Sequence, residues 1–246
     1  MQRCRGHSDS MDASGGTYHS GLHRRWALLL VWTASLVAHG TDAATGERLI
    51  VPLDDIRFQV AGNIVVHRTE RTVTVPAVVN QQRGLVEYLL VHTTGKRHEA
   101  LFSTGVAPQH LHLACLLVGA PETGAAAVEL AGLEVRWQGH GPASRSMAED
   151  LLQSATHDGE PISGATMARA RWSYHGSRFT RDGFAAQVEG NCIALQADAA
   201  ALLQAPGLLA GEYVPYGARL PAVGSPVSIV LTFPPPRAAS AVEEHP

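Results

Sequence analysis

Residues 108–118 (PQHLHLACLLV) constrain the fold of this chain more than any other stretch. Leu111, Ala114, Cys115 and Val118 recur at helical spacing, Pro108 suits a first helical turn, Gly119 a C-terminal cap, and Pro121 forbids continuation. Being apolar on most sides, the segment predicts a helix buried against a sheet. The rest of the chain can supply that sheet. With 24 Gly, 14 Pro and 6% aromatic residues, the composition suits many short strands joined by turns better than a helical bundle.

The strand signals are local. Residues 63–68 and 72–76 are β-branched runs around a polar turn and predict a hairpin. Residues 85–92 (LVEYLLVH) are apolar on both faces beyond Tyr88, as in a strand covered on both sides, and Thr93-Thr94-Gly95-Lys96 before residues 98–104 predicts a second hairpin. Further strands are expected over 130–137, 169–174, 184–188, 192–195 and 227–233, after a mixed lead-in at 47–57. Ser146-x-x-Glu149 has capping-box spacing and predicts a short helix over 147–155, and Asp198 before an alanine run predicts another over 198–204. Residues 156–166, rich in Gly, Pro, Ser and Asp, predict a long exposed loop. The sum is an α+β fold: one predominantly antiparallel β domain with one buried core helix and short surface helices.

Residues 26–38 form an apolar run behind Arg24-Arg25 and before the small residues Ala38, Gly40, Ala43 and Ala44, the layout of a secretory signal peptide. At thirteen residues the run is shorter than the roughly 20 that span a bilayer, so cleavage near residue 43 and no stable membrane span afterwards are expected. The expected organisation is a leader at 1–43, a domain at 44–233 and a disordered tail at 234–246 that begins Pro234-Pro235-Pro236. Export would be to the periplasm or the extracellular space. Nineteen Lys plus Arg against 22 Asp plus Glu give a net charge of -3, without the basic field that nucleic-acid binding requires. Cys4 leaves with the leader, so Cys115 and Cys192 alone would enter an oxidising compartment. A disulfide between them and two buried thiols are both compatible with the sequence. Two cysteines do not hold an iron-sulfur cluster.

Three stretches resemble the YdjY-type domain, a family of exported bacterial proteins without an assigned reaction. They are Glu87 with Gly95-Lys96-Arg97-His98-Glu99-Ala100, His112 and Leu116-Leu117-Val118-Gly119; then residues 171–179 (RWSYHGSRF) with Ala186 and Gly190; then residues 220–227 (LPAVGSPV). The resemblance spans residues 63–232 and implies export and a single domain, but no chemistry.

Candidate functional residues cluster at Lys96-Arg97-His98-Glu99. Lys96 is the sole lysine of a chain that otherwise uses arginine, which points to a compact ammonium wanted at that turn, against Glu99 or an anionic ligand. The competing explanation is a solvated turn with a weak surface ion pair. His98, Glu99 and His112 are the residue types that bind a divalent metal such as zinc or copper, with His92 or His175 as further candidates. Spacing opposes the simplest site, because His110 and His112 diverge on a helix. Ser177 and Arg178 follow Trp172 and Tyr174 on a strand whose aromatics belong either to the core or to a ledge for a small molecule. The chain has no Gly-x-Ser-x-Gly elbow, no His-Glu-x-x-His pair and no phosphate loop. The leading expectation is therefore an exported non-catalytic binding or accessory domain for an unknown protein or small-molecule ligand. The alternative is a divalent-metal protein or metal-dependent enzyme built on His98, Glu99 and His112.

Overall fold

The computed structural model describes residues 48–138, 144–156, 158–205 and 212–235. The expected leader at 1–43 lies outside them, as do residues 236–246 of the expected tail. The strands are β1 (Ile50–Pro52), β2 (Arg57–Val60), β3 (Ile64–His67), β4 (Thr72–Val79), β5 (Tyr88–His92), β6 (Ala100–Thr104), β7 (Val128–Glu129), β8 (Gly132–Trp137) and β9 (Ser144–Met147). They continue as β10 (Leu152–Ala155), β11 (Pro161–Thr166), β12 (Ser173–Tyr174), β13 (Phe179–Thr180), β14 (Gly183–Phe184), β15 (Asn191–Ala194), β16 (Leu203–Gln204), β17 (Tyr213–Pro215) and β18 (Pro226–Thr232). The helices are α1 (Pro108–Leu117) and α2 (Ala185–Glu189). The fold is α+β and dominated by antiparallel sheet. No helix among the described residues is long and apolar enough to cross a membrane.

The organising strand is β4. One edge pairs along its length with β18, Thr72 opposite Thr232 and Val78 opposite Pro226. Its other edge is shared, the first half taken by β3 and the end by β6. From this fork one arm runs through β3 and β2 to β1, and the other through β6, β5, β15, β16 and β12 to β7. Strict alternation on β4 buries Val73, Val75, Ala77 and Val79 on one side. Against that side α1 lays Leu111, Ala114 and Cys115, each fully buried, with Pro108 in its first turn and Gly119 in the left-handed conformation just past its end. The core helix is thus where its periodicity puts it.

Several local expectations are corrected. The second hairpin is not one: β5 and β6 run parallel, Tyr88 beside Ala100 and His92 beside Thr104, so residues 93–99 cross back over the sheet instead of folding it. The helix expected over 147–155 is the end of β9, a 3-10 turn (Ala148–Leu151) and β10. Glu149 is buried there and binds groups outside the segment, which outweighs a local capping box. The helix expected over 198–204 is a turn, in which Asp198 Oδ1 accepts from Ala200 N at 2.8 Å, followed by β16 paired on both sides. Residues 161–166 pair with β10 rather than hang as a loop. The strand expected over 184–188 is α2, ended by Gly190 at φ 75°. The lead-in forms the extra hairpin of β1 and β2. Pro234, assigned to the tail, is anchored by Arg71.

Candidate functional site

The crossover at 93–99 builds the site. A buried parallel strand must be re-entered at the same end, so seven residues return past β5, beside a small apolar cluster of Tyr88, Val91, Ala100, Ala194 and Ala201 that is separate from the main core. The loop is held tightly. Gly95 N donates to His92 O at 2.8 Å and Arg97 N to Gly95 O at 2.8 Å, while Asn80 Nδ2 donates to the carbonyls of Arg97 and Ala100. Arg97 Nε returns a bond to Asn80 Oδ1 at 3.1 Å. Gly95 and Gly190 touch backbone to backbone, with no space for a Cβ on either.

Lys96 is laid across Tyr88. Its Nζ donates to Tyr88 OH at 3.0 Å and sits 5.2 Å from the ring centroid. Tyr88 OH donates in turn to Asp198 Oδ2 at 3.1 Å, and Asn191 Nδ2 donates to the same oxygen at 2.9 Å and to Glu189 Oε2 at 3.2 Å. Asn191 is fully buried, and its Oδ1 has no partner among the described residues. The Tyr88 hydroxyl, with Glu99 and Asp198 nearby, holds the Lys96 ammonium above its ordinary pKa, and burial raises the Tyr88 phenol. Both are therefore protonated near neutrality. They serve as fixed donors rather than proton acceptors, an arrangement suited to recognition.

The other candidate residues are dispersed. His98 projects into solvent with Nε2 3.3 Å from Glu99 Oε1. His112 lies elsewhere, with Nδ1 2.6 Å from Tyr174 OH and Nε2 3.3 Å from Thr123 Oγ1. Thr123 Oγ1 donates to Gly176 O, so Nε2 carries the proton and Nδ1 accepts from the buried tyrosine. His98, Glu99 and His112 do not meet, and among the described residues no three His, Cys, Asp or Glu side chains gather as a metal site needs. The helix carries His112 toward Tyr174 and Phe184, away from the crossover. His92 Nδ1 is 2.7 Å from Thr94 Oγ1. Trp172 and Tyr174 are core residues. Ser177 is buried, donating to Ala200 O at 2.6 Å and accepting from Ala186 N at 3.1 Å, so its hydroxyl is spent on the fold, while Arg178 is exposed. Cys115 and Cys192 are fully buried free thiols, and burial raises both, Cys192 to about 12. The sequence reading missed Tyr88, Asp198 and Asn191, the partners of Lys96.

Burial also lowers His112 and His175 below the ordinary imidazole value of 6.5. The unfolded chain takes up these protons near 6.5 while the native state resists them, so their contribution to stability is complete above that pH and is lost as pH falls through the lowered values. The urea midpoint should fall between pH 7.5 and 5. In His112→Gln the fall should be shallower, and an equal slope would remove His112 as a cause.

No family model, curated protein or solved structure matches this chain.

Proposed function

We propose that the chain is an exported, non-catalytic binding or accessory domain of the YdjY type, acting in the periplasm or on the cell surface, with the crossover at 93–99 as its contact surface. The observation that carries this reading is the seating of the sole lysine. Its ammonium is kept charged by Tyr88, and neighbouring Arg97 and His98 are exposed on a loop whose backbone is already pinned. A pinned loop loses little conformational entropy when a partner arrives, which favours affinity. The partner is a protein or small molecule that offers acceptors to Lys96, Arg97 and His98. Lys96→Ala and His98→Ala should each weaken the interactions of the exported protein, measured by partner capture and titration, by roughly tenfold with the melting temperature kept, as for loss of one hydrogen bond. Retention of every interaction by both variants would move the contact surface elsewhere.

A further inference from the structure

Arg71 closes the turn between β3 and β4 in a left-handed conformation, φ 53°, that disfavours a side chain, with its N–H 3.2 Å from Arg68 O. Strain of this kind persists where the side chain is required in place. The conformation is accompanied by a guanidinium laid against the end of α1, where Nε donates to Pro234 O at 2.6 Å and Nη2 to Gly119 O at 3.4 Å. Gly119 makes room for it, since a Cβ there would lie 2.9 Å from Nη1.

A guanidinium has five N–H groups and keeps its proton. Among the described residues Nη1 has no acceptor, and the carboxylates that pair with arginine serve Arg57, Arg136, Arg169 and Arg171 instead. Arg71 borders a cavity of about 620 Å³ walled by Pro121, Ala127, Val128, Leu130, Pro234 and Pro235. Glu129, the other charged residue on that wall, is held by Arg171 at 2.9 and 2.6 Å. The cavity therefore joins an apolar wall to one unmatched positive charge, within the size range of small-molecule sites.

We propose that this cavity binds a small amphipathic monocarboxylate of the medium-chain fatty-acid class. The carboxylate pairs with Arg71, and the alkyl chain lies on the proline, alanine and valine wall. The site is separate from the crossover at 93–99, and its test does not depend on that surface.

Isothermal titration of the protein with octanoate and with octan-1-ol tests the assignment. Octanoate should bind one to one and the alcohol at least tenfold more weakly. Arg71→Gln should weaken octanoate tenfold or more. Should that variant fail to fold, Ala126→Glu decides: it places a competing carboxylate at an exposed position on the same wall, and should do the same with an unchanged melting temperature. Equal binding of acid and alcohol, or octanoate affinity unchanged in the deciding variant, overturns the proposal. So does an absence of octanoate binding, or binding seen only after residues 236–246 are removed, which would give the cavity to the chain's own C-terminal segment.

Discussion

Glu149→Leu is expected to destabilise the protein by about 3 kcal/mol, read as a lowered urea midpoint at constant slope. Glu149 is only 3% exposed, and its Oε1 accepts from both Trp172 Nε1 and Ala170 N at 3.1 Å. Leucine matches the volume but leaves two donors without an acceptor, one of them on a tryptophan inside the core, and each such orphan costs about 1–3 kcal/mol. The ion pair with Arg169, at 3.6 Å, adds little because that arginine is largely solvated. Glu149→Gln separates the two effects. It keeps an oxygen for both donors and should cost about 1–2 kcal/mol, from the weak ion pair and from the buried amide N–H groups that replace Oε2. Equal losses in the two variants would mean that the charge, not the acceptor, holds the segment.

Gly190→Ala should cost about 2–4 kcal/mol and disturb the crossover loop besides. Gly190 sits at φ 75°, and an added Cβ would stand 2.7 Å from Gly95 Cα and 2.9 Å from Gly95 N. Both are backbone atoms, so relief requires moving the chain, and Gly190 O is also the acceptor for His92 N at the end of β5. Gly84→Ala is the matched control, because Gly84 has φ 85° with nothing within 4 Å of its Cβ position. That variant bears only backbone strain of about 1 kcal/mol. The excess in Gly190→Ala measures the contact, and faster amide exchange across residues 93–99 locates it. Similar losses at the two positions would show that the loops part easily.

What could be read from the sequence was what neighbours in the chain decide. Pro108, Gly119 and the spacing of Leu111, Ala114 and Cys115 placed α1, and β-branched runs around a polar turn placed β3 and β4. The failures share one cause, competition from distant partners. The capping-box spacing of Ser146 and Glu149 is real, but Trp172 and Ala170 offer that carboxylate a better bargain than a helix start. The turn after His92 looks like a hairpin because seven residues suffice for one, and nothing local reveals that β15 already occupies one flank of β5. Lys96 stood out by being the sole lysine. Tyr88, Asp198 and Asn191 carry no such mark, since they become partners only when β5 and β15 pair and the turn at Asp198 closes against them.

The position of β18 bears on how the chain reaches this state. The last strand among the described residues is inserted between β4 and β8, with Ile229 facing Val75 on one side and Val135 on the other. A chain emerging vectorially therefore leaves both of these edges open until residues 226–232 are free, and contacts of such long separation in sequence make folding slow. Until that strand arrives, the unpaired edges of β4 and β8 are open to chaperones and to mispairing with other copies. Commitment to the native topology thus waits on residues 226–232.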